Sequence, residues 1–247
     1  MAKVRLLPLS SVPDEVIAAN RASNRRLGVP RVGASGPALA PLAVVGGAPT
    51  LECHIEAMRA FRGEIWAING TWRWLRDRGI AATAYSIDPN PGLAEWFAGA
   101  ERAVLADTCA PAVFEALSGA HVELAEIGPD GMAHLCATAS SAPMIAAARG
   151  HTHVTFYGVD CSFDGPTHAD RDDEAAKGRI RVEIAGEPYM TRPDLLMQAE
   201  ELAELAQALP GYLSVVGYGL LPALITHGDY EITHVSRDVH DALRPAA

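Results

Sequence analysis

Short apolar runs, each stopped by glycine, asparagine or aspartate, recur through the middle of the chain. Leu42-Ala43-Val44-Val45 stops at Gly46-Gly47, the run 64–68 at Asn69-Gly70, 82–87 at Asp88-Pro89 and 103–106 at Asp107. A further run covers 121–124, and 154–159 ends at Asp160. Runs of this length, bounded by turn residues, read as buried strands. Between them the pattern predicts helices at 51–61, 71–78, 92–97, 111–117 and 141–149, the first with Thr50 as its N-cap. Strands alternating with helices at this spacing predict a Rossmann-like α/β fold, with a mostly parallel sheet and helices on both faces.

The two ends of the chain read differently. Residues 13–27 form a predicted helix with Val16, Ile17 and Ala19 as its apolar contacts, followed by breakers from Gly28 to Pro37. After the polar, acidic stretch 161–174, residues 179–184 alternate as a half-exposed strand. A turn at Ala185-Gly186 leads to a partner strand at 188–190. Thr191 is the expected cap of an amphipathic helix to 209, and further strands fall at 213–216 and 231–235. The organisation is therefore an N-terminal helical appendage, 1–40, and one α/β domain, 41–247. That domain has a core at 41–170 and a C-terminal extension of hairpin and helix at 171–247.

Charge and composition narrow the partners. Twenty Lys and Arg against 30 Asp and Glu give a net charge of −10, which argues against nucleic acid as a partner. A small phosphorylated ligand stays open, because the field of a site is local. The four cysteines, Cys53, Cys109, Cys136 and Cys161, form no C-x-x-C pair and no zinc spacing, so they read as free thiols. No run approaches the ~18 apolar residues of a membrane span. The expectation is a cytoplasmic protein with no membrane partner, and homo-oligomerisation stays open.

In an open parallel sheet, ligands bind beyond the carboxyl ends of the strands. Gly46-Gly47, Asn69, Asp88 and Gly158-Val159-Asp160 all stand at such ends. Gly46 and Gly47 suit the close approach of a phosphate or sugar, with a helix N-terminus behind them; otherwise they are simply a tight turn. Asn69 is a candidate for base, ribose or phosphate, or an Asn-Gly turn. Asp88 and Asp160 are candidate Mg²⁺ ligands, with Asp88 alternatively a loop acid. Asp160 and His168 are the candidate acid–base pair, with His168 alternatively a solvated loop residue. Thr138 and Ser140, at the start of a helix, suit a phosphate or plain capping. No G-x-G-x-x-G, P-loop or nucleophile elbow is present.

In order, these residues resemble a family. The opening Gly46-Gly47-Ala48-Pro49-Thr50-Leu51, then Ala67-Ile68-Asn69, Asp88, Phe156-Tyr157-Gly158-Val159-Asp160 and Thr167-His168-Ala169 resemble the MptE-like group, named for archaeal 6-hydroxymethylpterin diphosphokinase. The usual opening there is Gly-x-Gly-Pro-Ser-Leu; here the middle glycine is displaced and threonine replaces serine. The layout is also similar to bacterial CMP-sialic acid sialyltransferases, through the Gly-rich first turn, the Asn after the second strand, and a Thr-Ser helix at 138–149 leading to Gly158-Val159-Asp160. Both resemblances cover about residues 40–170 and imply a nucleotide-using transferase with a small-molecule acceptor. The first implies Mg²⁺-assisted diphosphoryl transfer from ATP to a hydroxymethyl group, with Asp88 and Asp160 on the metal. The second implies glycosyl transfer, with Gly46, Gly47 and Asn69 holding a nucleotide sugar and His168 as base; in either version Thr138, Ser140 and Gly158 are further nucleotide-binding candidates. A third possibility is a nucleotide-binding protein that keeps the fold without the chemistry.

Overall fold

A computed structural model describes residues 12–33, 40–128, 137–163 and 178–236. After an N-terminal helix α1 (Asp14–Asn24), the chain forms β1 (Leu42–Val45), a 3₁₀ helix (Pro49–His54) running into α2 (Ile55–Ala60), and β2 (Glu64–Ile68). It continues through α3 (Thr71–Arg76), β3 (Thr83–Ser86), α4 (Leu93–Trp96), β4 (Arg102–Ala106), α5 (Pro111–Ala116) and β5 (His121–Ala125). Then come α6 (Thr138–Arg149), β6 (Val154–Tyr157), β7 (Ile180–Ile184), β8 (Glu187–Thr191), α7 (Pro193–Ala208), β9 (Leu213–Val216), α8 (Leu220–His227) and β10 (Glu231–Val235).

Seven strands pair in parallel in the order β5-β4-β3-β2-β1-β6-β9. Their apolar runs have the expected cause: β1 and β3 are buried along their whole length, which requires cover on both faces of the sheet. The chain lays β1 to β5 outward on one side, then crosses back through α6 to place β6 on the other side of β1. The β1/β6 boundary is thus the topological switch point, where this class of sheet opens a crevice for ligands. A smaller antiparallel sheet, β10-β7-β8, is inserted around α7 and β9. Its hairpin turns at Ala185 and Gly186, both at positive φ.

Several expectations change. The C-terminal extension is not only an addition, because β9 is the seventh strand of the main sheet, paired with β6 from Val154–Leu213 to Tyr157–Val216. Helix α8 is new; no helix was expected after β9. In α1 the buried face is more polar than predicted: Val16 and Ala19 are exposed and Ile17 is half-buried, while Asn20 and Asn24 are buried. Asn24 Nδ2 donates to the carbonyls of Asp107 (2.9 Å) and Cys109 (2.7 Å), and Asn20 Nδ2 to that of Thr108 (3.0 Å). Arg25 reinforces the contact through the Asp107 carboxylate at 2.7 Å. Thr191 does not cap α7. It closes β8, its hydroxyl donates to the Cys161 carbonyl (2.7 Å), and Arg192 takes the N-cap position.

At the amino ends of the strands a charged cluster ties the sheet together. Glu64 accepts from Thr83 Oγ1 (2.9 Å), Arg102 (3.3 Å) and Arg149, and Arg149 forks onto Glu123 at 2.8 and 3.0 Å. Burial opposes ionisation of Glu64, but the hydrogen bond from His151 and the charge of Arg149 outweigh it and lower its pKa to about 2. This cluster lies at the opposite edge from the crevice, so its role is to hold the fold.

Candidate functional site

The switch point is built by two loops pressed together. Gly46 N–H donates to the Tyr157 carbonyl (2.9 Å) and Ala48 N–H to the Gly158 carbonyl (3.0 Å). A Cβ on Gly46 would lie 2.5 Å from the Gly158 carbonyl oxygen, and one on Gly158 would lie 2.6 Å from that of Gly46. Both glycines are therefore required by the mutual approach of the β1 and β6 loops, and Gly158 also by its φ of +61°. The space beside the Gly46 Cα is filled by Gly158, which favours the tight-turn alternative for Gly46. The helix start is corrected too. Ala48 occupies the N-cap, Pro49 opens a 3₁₀ turn, and Thr50 lies inside it.

Thr50 is instead turned across the crevice. Its hydroxyl donates to Asp160 Oδ2 at 2.6 Å, joining the loop after β1 to the loop after β6. Asp160 is only 3% exposed, and burial lifts its carboxyl pKa to about 6, with the Thr50 hydrogen bond pulling the other way. The following residue, Cys161, has φ +56°, a strained value for a residue with a side chain. Its thiol is buried and pushed up to about 12, so it is not the reactive group here. The loop after β9 forms the third wall. A Cβ on Gly217 would meet His54 Nε2 at 3.1 Å and Asp160 Oδ1 at 3.5 Å. One on Gly219 would meet Asp160 Cβ and carbonyl oxygen at 2.7 Å. Leu220 N–H donates to Ser162 Oγ and Leu221 N–H to the Asp160 carbonyl, both at 3.0 Å, which pins this loop. Between the two glycines, Tyr218 is 87% exposed. His54 packs beside Tyr157, ring centroids 6.0 Å apart.

A second group stands at the ends of β2 and β3. Ser86 Oγ donates to Asn69 Oδ1 (2.7 Å) and accepts from Asp88 N–H (3.0 Å), while Asp88 Oδ1 accepts from Asn90 N–H (2.9 Å). Asp88 thus serves a local turn. β3 and β6 are separated by β2 and β1, three strand spacings or about 14 Å. The strands that lead to Asp88 and Asp160 thus stand further apart than the span of one Mg²⁺ with oxygen ligands near 2 Å. Among the described residues, no three His, Cys, Asp or Glu side chains converge as a metal site. At the start of α6, Ser140 Oγ exchanges hydrogen bonds with the Ala137 backbone (3.1 and 3.2 Å), the capping role, and Thr138 is buried beside it. Position 168 lies outside the described residues, so His168 has no structural account.

Asp160 and Asn69 are thus placed at the strand ends where the sequence puts them, and the structure adds Thr50 as the partner of Asp160, His54, Ser86 and the Gly217-Tyr218-Gly219 wall. A signal existed for His54, which closes the same short helical segment that carries Thr50. The glycine–tyrosine–glycine triplet directly after an apolar run at 213–216 was another.

No family model matches the sequence, and no curated protein matches it. Among solved structures, the MAf glycosyltransferase from Magnetospirillum magneticum AMB-1 is similar, with a TM-score of 0.63 at 16% identity. The match covers 83% of this chain and 37% of that one. At this identity the likeness is one of fold, and this chain spans well under half the length of its neighbour. It lends no support to the pterin diphosphokinase family in particular.

Proposed function

We propose that this chain is a nucleotide-dependent transferase and that it moves a glycosyl unit from a nucleotide sugar to a hydroxyl acceptor. The observation that carries the reading is Asp160, a nearly buried carboxylate at the switch point, bridged to the β1 loop by Thr50. The glycosyltransferase neighbour supports the choice of glycosyl over phosphoryl transfer. The separation of β3 from β6 weighs in the same direction, since the ATP reading places Mg²⁺ on both Asp88 and Asp160. In this proposal Asn69, Gly47 and Thr138 lie on the nucleotide side, and Asp160 sits at the reacting centre. The acceptor oxygen attacks the anomeric carbon, the bond from that carbon to phosphate breaks, and the nucleotide leaves with the bonding electrons. The acceptor proton passes to a base. A carboxyl with its pKa near 6 is largely ionised at neutral pH yet basic enough to take that proton.

The test is release of nucleotide from CMP- and UDP-sugars, with water as the surrogate acceptor. We expect turnover by the wild type and a loss of at least roughly 100-fold in kcat for Asp160→Asn with little change in KM. Turnover that survives Asp160→Asn contradicts the role of Asp160. Turnover of ATP alone, dependent on Mg²⁺, would instead favour diphosphoryl transfer. Binding without turnover of either would favour a non-catalytic nucleotide-binding protein.

A further inference from the structure

Asn69 ends β2 with φ +48°, a left-handed conformation that asparagine tolerates better than other residues with side chains. Its backbone is fully engaged: its N–H donates to the Tyr85 carbonyl (3.1 Å) and its carbonyl accepts from Trp72 N–H (3.2 Å). The side chain is half-buried, and the register of β1 with β2 sets the Asn69 backbone level with Gly47, one strand spacing or about 5 Å across the sheet. Its Oδ1 is occupied by Ser86, which is fully buried.

Ser86 fixes which way the carboxamide faces. A hydroxyl has one proton to give. Its oxygen already accepts from Asp88 N–H, and its proton goes to Asn69 Oδ1. Turning the amide over would set NH₂ against the Ser86 oxygen and take from the hydroxyl proton the acceptor it now has. The orientation is therefore set by proton count, and Nδ2 is the polar group of Asn69 left without a partner among the described residues.

We infer that Ser86 is a positioning residue that locks Asn69 as a hydrogen-bond donor, and that Asn69 Nδ2 reads an acceptor oxygen of the bound nucleotide. The inference rests on the nucleotide reading above. It adds which atom selects the ligand and what chemistry the ligand must offer. The acceptor oxygen belongs either to the phosphate or to the carbonyl of the base, and Asn69 selects against a ligand that presents a donor there.

The experiment measures binding of CMP, UMP and AMP, and of the matching nucleosides, to the wild type, Asn69→Asp, Asn69→Ala, Ser86→Ala and the Asn69→Ala/Ser86→Ala double variant. Asn69→Asp keeps an acceptor for the Ser86 hydroxyl and removes the donor, so the best nucleotide should bind roughly tenfold or more weakly. Ser86→Ala should weaken it by a similar factor in the wild-type background and by nothing further in Asn69→Ala, because Ser86 acts through Asn69. A Ser86→Ala penalty that persists in Asn69→Ala overturns the positioning role, and unchanged affinity in Asn69→Asp overturns the donor role. If the Asn69→Asp penalty vanishes for the nucleoside, the oxygen read is on the phosphate; if it remains, it is on the base. ¹⁵N relaxation of the Asn69 carboxamide separates this inference from the nucleotide reading. The amide should be ordered in the wild type and mobile in Ser86→Ala, whether or not a nucleotide binds. Equal mobility in both overturns the lock. A wild type that binds none of the nucleotides overturns the nucleotide reading and the ligand half of the inference together, while the relaxation data still decide the Ser86 half.

Discussion

Asp160 holds a carboxyl in the fold at a cost. Burial raises its carboxyl pKa to about 6 from the ordinary 3.8, so folding with the charged form is unfavourable. The sign follows: stability is full below about pH 4 and falls as pH rises through about 6. Asp160→Asn removes the charge and should raise stability at pH 7.5 by up to about 3 kcal/mol, with the gain vanishing near pH 4. Denaturant unfolding at the two pH values checks this. A variant less stable than wild type at pH 7.5 would contradict it. The same variant is expected to lose turnover, and wild-type turnover should rise with pH through about 6 as the base form appears. Asp160 was legible in the sequence because an acid directly after a buried apolar strand stands at the ligand edge of a parallel sheet. Its partner was not, because Thr50 lies 110 positions away and only the β1–β6 pairing brings the two together.

At the scale of elements, the strands were legible and the helices only partly so. A parallel strand buried on both faces has no alternation to interpret, and runs such as 42–45 and 103–106 declare themselves. Helix α1 misled because its buried face is polar: Asn20 and Asn24 satisfy backbone carbonyls after β4, a contact that hydrophobic periodicity cannot reveal. Helix α8 escaped notice because Pro222 falls within its first turn, close behind two glycines. The place of β9 in the main sheet also depends on pairing rather than local pattern. The Gly46–Gly158 approach gives the sharpest test at this scale. Gly46→Ala would set a methyl group 2.5 Å from a carbonyl oxygen. It should destabilise the fold by several kcal/mol with no ligand present. Thermal unfolding of the free protein reads this directly. A Gly46→Ala variant that keeps its stability and loses only ligand affinity would restore the phosphate-gap reading.

Across the whole molecule, the two edges of the sheet do different work. The amino edge concentrates ion pairs around Glu64 and Arg149; the carboxyl edge carries the strained Cys161, the buried Asp160 and the glycine-lined loops. Because Glu64 is held near pKa 2 in the fold against an ordinary 4.5, its contribution is full above about pH 4.5 and is lost as pH falls toward 2. Glu64→Gln should therefore cost about 3 kcal/mol at pH 7 and far less near pH 2, with ligand affinity unchanged. Unfolding curves at both pH values check the stability, and titration with a bound nucleotide checks the independence of the two edges. The net charge of −10 is compatible with an anionic ligand only if the crevice supplies local donors, which is the part assigned to Asn69.

The most direct measurement is a thermal-shift panel of CMP, CTP, UDP, ATP, GTP and NAD, each with and without Mg²⁺, on the wild type. A ligand at one hundred times its Kd stabilises the fold by ~2.7 kcal/mol, a readily measured shift. The account predicts a shift with CMP, CTP or UDP that does not require the metal, and loss of part of it in Asn69→Asp. No shift with any nucleotide would contradict the claim that the β1/β6 crevice is a nucleotide site.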